Sequence, residues 1–259
     1  MTRVIGILGS TNKNGLTAQL LSAILEGAQE QGCSTETLYL SEEPLRMTAP
    51  DTKNVTLDHL SSMLQSADCI VLASPTYWGD ASGLMKNLLD CLRSKLVTFD
   101  RKGDMHPGSF QGKGYILVTT CYTSTFWNRL SGVTDRTLST MEKPLLAAGM
   151  RRIGEAICTD TYGKASLPNA QKVYGKHLGA EIPFKLSRKG GLTLKRYIEL
   201  FFMLAATILL VMGIEEGLSA LHLVNLNHFW THYLVFVLLT YLLLSLFLHY
   251  VAKAKHRRS

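Results

Sequence analysis

Residues 74–90 read Ser-Pro-Thr-Tyr-Trp-Gly-Asp-Ala-Ser-Gly-Leu-Met-Lys-Asn-Leu-Leu-Asp, directly after the apolar run Cys69-Ile70-Val71-Leu72-Ala73. A continuous apolar run of this length suits a strand covered on both faces, as in a parallel sheet. The strand gives way to Pro75, an aromatic pair and Gly79, and then an amphipathic helix begins. Pro75 fixes the exit direction, and Gly79 lets the backbone approach another group closely. Tyr77 and Trp78 set two flat rings at the carboxyl end of a strand, a position suited to a flat ligand.

The same strand-then-helix alternation runs through residues 1–182. Apolar runs at about 3–9, 35–40, 69–73, 114–120 and 152–158 read as strands. Helical periods fill about 15–31, 56–67, 81–96, 126–148 and 168–181; in the first, Leu16, Leu20, Leu21, Ile24, Leu25 and Ala28 share a face. Five strands with crossover helices predict a doubly wound parallel α/β sheet.

The first strand runs into Gly9-Ser10-Thr11-Asn12-Lys13-Asn14-Gly15-Leu16-Thr17 before its helix. Hydroxyls, side-chain amides and free backbone N–H groups at a helix N-terminus are what a phosphate monoester needs. The spacing is not the dinucleotide fingerprint, because Gly6 and Gly9 lie three apart with no third glycine in register, and no Gly-Lys-Ser/Thr closes a P-loop. Taken alone, this stretch reads equally as an ordinary strand-to-helix turn.

The Gly9-Ser10…Thr17 loop and the Pro75-Thr76-Tyr77-Trp78-Gly79 turn with its Leu-Met-Lys-Asn helix together resemble the flavodoxin-like NAD(P)H-dependent FMN reductases, over residues 1 to about 182. That family often has Arg where Asn12 stands. The resemblance implies strand order 2-1-3-4-5, in which both loops meet where the order reverses, the ligand position in open α/β sheets. It implies FMN as cofactor, with Ser10, Thr11, Asn12, Asn14 and Thr17 donating to the phosphate and Leu16 contributing backbone. Pro75, Thr76, Tyr77, Trp78 and Gly79 would line the ring system, and Thr120, Cys121 and Tyr122 would touch its edge. It implies NADH or NADPH as co-substrate, a quinone or other small acceptor, and a homodimer. No side-chain acid or base is expected, since the flavin itself takes the hydride. A flavodoxin-type electron carrier and a flavin-based redox sensor are the rival readings. Carriers typically present an acidic docking face, and the charge balance of residues 1–182 counts against one.

That balance is nearly neutral. Residues 1–182 hold 18 Lys/Arg and 17 Asp/Glu, whereas residues 183–259 hold 9 and 3, which accounts for the net +7. A basic face for nucleic acid is therefore not expected on the first domain. Cys33, Cys69, Cys91, Cys121 and Cys158 form no C-x-x-C pair, so no zinc or iron–sulfur site is expected and a reducing compartment is.

Residues 183–196 are Gly- and Lys/Arg-rich and read as a linker, and residues 197–259 as a hairpin with a basic tail. Apolar stretches at about 198–214 and 233–251 are each close to bilayer thickness, which predicts two membrane spans. Lys185, Arg188, Lys189, Lys195 and Arg196 precede the first span, Lys253, Lys255, Arg257 and Arg258 follow the second, and residues 215–232 contain no Lys or Arg. The positive-inside rule then puts the first domain and the C-terminus on the cytoplasmic side of a membrane. A buried helical hairpin is the alternative. His222, His228, His232 and His249 offer haem or quinone ligation, or simply a wet interface. The polar segment 97–113 reads as a long loop, suited either to closing over a nucleotide or to a subunit contact.

Overall fold

The computed structural model describes residues 1–48, 52–187, 194–220 and 229–257. It divides into two units, Met1–Arg188 and Lys189–Ser259.

The first unit is built on the expected parallel sheet. Strand β1 (Arg3–Leu8) leads into helix α1 (Leu16–Glu30) and returns through β2 (Ser34–Tyr39) to α2 (Val55–Gln65). Strand β3 (Cys69–Tyr77) turns into the short β4 (Asp80–Ala81), then α3 (Gly83–Cys91) and α4 (Arg93–Leu96). A hairpin of β5 (Val97–Phe99) and β6 (Met105–Pro107) precedes β7 (Gly114–Thr120). Helices α5 (Thr125–Ser131) and α6 (Asp135–Ala147), strand β8 (Arg151–Cys158), and helices α7 (Asn169–Ala180) and α8 (Ile182–Ser187) complete it. The parallel order is β2-β1-β3-β7-β8, which is the flavodoxin order, with β4 antiparallel to β3.

Each face of the sheet is covered by its own apolar layer. Val4, Leu8, Val71, Val118 and Ala156 pack beneath α1 and α7, and Ile5, Ile7, Ile70, Leu72 and Leu117 beneath α2, α3 and α6. This two-sided burial explains why the strands read as unbroken apolar runs. Helices α1 and α7 touch backbone to backbone: a Cβ on Gly27 would lie 1.9 Å from the Lys176 carbonyl oxygen, and one on Gly179 would lie 1.9 Å from that of Ile24.

Four local expectations change. The helix read over 126–148 is two, because Gly132 takes a left-handed φ of 66° that ends α5. The helix read over 81–96 divides at Leu92 into α3 and α4. The polar loop 97–113 contains the β5–β6 hairpin, closed by the Asp100 carboxylate accepting from the N–H groups of Lys102 and Asp104 at 2.8 and 2.9 Å. The first residues of the expected linker form α8, whose carbonyls of Lys185 and Leu186 accept from Arg151, each at 2.8 Å.

The second unit contains α9 (Leu194–Ala220) and α10 (Phe229–Arg257), which pack against each other. Among the described residues, no helix is long and apolar enough to cross a membrane. The expected spans at 198–214 and 233–251, and the location at a cytoplasmic membrane inferred from them, are therefore corrected. The described part of α9 runs into Glu215 and Glu216, and Glu215, only 4% exposed, pairs with His232 of α10 at 3.2 Å. A buried carboxylate held by a neighbouring helix belongs to interhelical packing. His222 and His228 lie outside the described residues.

The α1–α7 contact gives a direct test of the packing. Gly179→Ala places a methyl group against backbone that has no room to retreat, so stability to urea should fall by about 3 kcal/mol.

Candidate functional site

The pairing of β1 with β3 brings the two sequence-marked loops side by side, and Gly9 N–H donates to the Ala73 carbonyl at 2.7 Å as the strands end. Ser82 bolts the loops together. Its hydroxyl donates to the Gly9 carbonyl at 2.5 Å and accepts from Met85 N–H at 3.2 Å, capping α3. Its own N–H donates to Ser74 Oγ at 2.9 Å.

Beyond Pro75 the chain makes a strained turn. Trp78 and Gly79 both take left-handed backbone, with φ of 55° and 77°. Such a conformation is uncommon for a bulky residue and persists only where the surroundings enforce it. Here the β3–β4 pairs Thr76–Ala81 and Tyr77–Asp80 close the turn, and Asp80 fastens it to α6. Its carboxylate accepts from Thr140 Oγ1 at 2.6 Å and from Ala81 N–H at 2.7 Å, and lies 2.8 Å from the Arg136 guanidinium. Burial pushes the Asp80 carboxyl up, but the hydrogen bonds and Arg136 outweigh it and hold it below the usual range. The turn leaves the Trp78 indole fully exposed and Tyr77 half exposed.

This turn forms one wall of a cavity of about 960 Å³. Pro75, Thr76, Tyr77, Trp78 and Gly79 line it with Thr120, Cys121 and Tyr122, so eight of the fourteen sequence-marked residues face one space. Val133 and Thr161 also line it and were not foreseen. Thr161 belongs to the loop after β8, tied down by its N–H donating to the Cys121 carbonyl at 3.2 Å. Its signal was position alone, at the exit of a fifth strand. Burial pushes the Cys121 thiol up, so it stays neutral near pH 7.

The other six marked residues sit on the β1–α1 loop and the first turn of α1. Ser10 is buried and accepts from Asn12 N–H at 3.2 Å, while Asn12 Oδ1 accepts from Asn14 N–H at 3.0 Å. Thr11, Asn12 and Asn14 are exposed. Leu16 packs into the core, with its backbone in the first turn of α1. No side chain caps that turn, which leaves N–H groups directed at the loop. The Thr17 and Thr120 hydroxyls share a 2.6 Å hydrogen bond that joins this loop to the cavity wall. The Thr76 hydroxyl is shared with Thr119 and Thr137, each at 2.9 Å. Among the described residues, no group of His, Cys, Asp and Glu could hold a metal ion.

Residues 2–125 match the family described as NADPH-dependent FMN reductase. That stretch is similar to the family. An iron-sulfur flavoprotein of Methanocaldococcus jannaschii is 32% identical over 106 residues, covering 38% of this chain and 55% of the relative. An FMN-dependent NADPH-azoreductase of Staphylococcus aureus is 30% identical over 93 residues, covering 33% of this chain and 50% of the relative. The chain thus spans about half the length of the curated relatives it matches. Among solved structures, an NAD(P)H:quinone oxidoreductase from Methanothermobacter marburgensis superposes with a TM-score of 0.60 at 14% identity, covering 70% of this chain and 98% of the other. An FMN-dependent NADH-azoreductase from Bacillus anthracis, solved with FMN, gives 0.56 at 10% identity, covering 73% and 100%. These two likenesses are of fold.

FMN is the cofactor of the family, and the residues present fit it. An uncapped helix N-terminus suits its phosphate, and a cavity of suitable size with an aromatic wall suits its ring.

Ser82→Ala removes the tie between the loops and an N-cap, which should cost about 1 kcal/mol of stability and weaken FMN binding in a fluorescence titration. Asp80 makes the turn acid-sensitive. Its lowered carboxyl favours the closed turn above its ordinary pKa of about 3.9, and that contribution is lost as pH falls through the folded value. With Trp127 and Trp230 replaced by Phe, Trp78 fluorescence should change in that acid range, and Asp80→Asn should abolish the change.

Proposed function

We propose that the chain is an FMN-dependent NAD(P)H oxidoreductase that passes electrons to a small planar acceptor such as a quinone. The observation that carries this reading is the meeting of an uncapped helix N-terminus and a strained aromatic turn at the β1–β3 switch point. FMN, when bound, would take hydride from the nicotinamide and release electrons to the acceptor.

The chain's own residues would bind, orient and shield. The hydroxyls of Ser10, Thr11 and Thr17, the amides of Asn12 and Asn14, and the Leu16 backbone would take the phosphate, assisted by the α1 dipole. Backbone of Pro75–Gly79 would hold the ring, with Tyr77 and Trp78 bordering the face open to nicotinamide and acceptor. Thr120, Cys121 and Tyr122 would close the opposite edge. No side chain is required to move a proton in the hydride step. Pairing of two copies fits the reading, because Phe126, Trp127 and Leu130 leave α5 with an exposed apolar edge.

An electron carrier or flavin sensor would need the same cofactor grip but no nucleotide access. Anaerobic mixing of FMN-loaded protein with NADH or NADPH separates these roles. Rapid loss of the yellow flavin absorbance, restored by a short-chain quinone, is expected. A flavin that neither nucleotide bleaches would overturn the reductase reading.

A further inference from the structure

A second cavity, of about 340 Å³, opens on the other side of the β1–α1 loop and shares no lining residue with the first. Lys13 and Asn14 of that loop line it, with Gln19 and Ser22 of α1 and with Thr37 and Tyr39 of β2. Small-molecule sites run roughly 300–1,000 Å³, so this one suits a nucleoside-sized fragment better than a whole dinucleotide. One wall is the Tyr39 ring, with the Lys13 ammonium 4.6 Å from its centroid. Lys13 is also bonded to the Glu42 carboxylate, three residues beyond Tyr39. Gln19 is pinned as a strut: its amide donates to the Asn14 and Ala165 carbonyls at 2.8 and 2.9 Å, and its oxygen accepts from Leu167 N–H at 2.8 Å.

An aromatic plane and a carboxylate thus stand together past the end of the second strand, beside a phosphate-type loop. In doubly wound sheets that hold dinucleotides, a carboxylate in this region accepts from the adenosine ribose. We propose that this cavity is the adenosine subsite of the nicotinamide nucleotide, with Tyr39 stacking the adenine and Glu42 accepting from the ribose 2′-hydroxyl. It rests on the reductase reading, which puts the nicotinamide end at the first cavity, so that the nucleotide bridges the loop of Asn12, Lys13 and Asn14. Charge sets its preference. Lys13 is the only cation among the lining residues, and it is already paired. A 2′-phosphate would meet the Glu42 carboxylate, so the subsite favours NADH over NADPH, against the nucleotide in the family's description.

Calorimetric titration of the FMN-loaded protein with ADP-ribose and with 2′-phospho-ADP-ribose tests this without any hydride transfer. ADP-ribose should bind about tenfold more tightly than its 2′-phosphate, and Tyr39→Ala should weaken it about tenfold through lost stacking. Glu42→Ala, at an exposed position that leaves the fold intact, should erase the preference between the probes. ADP-ribose binding that is unchanged in both variants, or absent while NADH still bleaches the flavin, overturns the subsite and leaves the reductase reading standing. Binding that the variants weaken, in a protein no nucleotide bleaches, supports the subsite and overturns the reductase reading. Tighter binding of the 2′-phosphate probe overturns the role of Glu42.

Discussion

The adjacency of β1 and β3 is the constraint on which the rest of the site depends. Five register pairs, Val4–Cys69 through Leu8–Ala73, hold the strands together, and the Gly9–Ala73 hydrogen bond carries the pairing past their ends. From that seam the chain leaves in opposite directions, from β1 through α1 on one face to β2 and from β3 through α3 on the other face to β7. The gap opened by this divergence is where a polar loop and an aromatic turn can face a common ligand. Ser82 works at the seam itself. Gly9 belongs there too, since a Cβ would meet Met85 and the Ser82 hydroxyl at 3.0 Å.

Rigidity around the seam comes from small polar contacts. The threonine pairs Thr17–Thr120, Thr76–Thr119 and Thr76–Thr137 join α1, β3, β7 and α6 through hydroxyls that are buried and mutually satisfied. Buried hydroxyls without partners would be costly, so these pairs hold the strand exits in one arrangement. The strain of the Trp78–Gly79 turn is borne by this frame and by the Asp80 anchor on α6. The result is an indole displayed to solvent on a fixed backbone, which suits recognition of a planar group.

Much of this was legible in the sequence because periodicity and turn chemistry are local. The five strands stood out as apolar runs, and Pro75 and Gly79 marked the turn. Strand order was not local information; it came with the family resemblance carried by Ser10–Thr17 and Pro75–Gly79. What escaped was set by tertiary contact. Thr161 reaches the cavity only because its loop is hydrogen-bonded to Cys121, and Gly132 splits a continuous helical pattern by its backbone conformation. The C-terminal helices show the limit of hydropathy alone. Residues 198–214 and 233–251 have the composition of spans, yet among the described residues no helix is long and apolar enough to cross a membrane, and the Glu215–His232 pair that joins α9 to α10 just outside both stretches is a contact between residues far apart in sequence.

The most direct measurement is a crystal structure of the protein grown with FMN. The phosphate is expected at the first turn of α1, within hydrogen-bonding reach of Ser10, Asn12 and Thr17, and the ring against the backbone of Pro75 to Gly79. A flavin bound elsewhere, or a ring held away from the Tyr77–Trp78 turn, would contradict this placement.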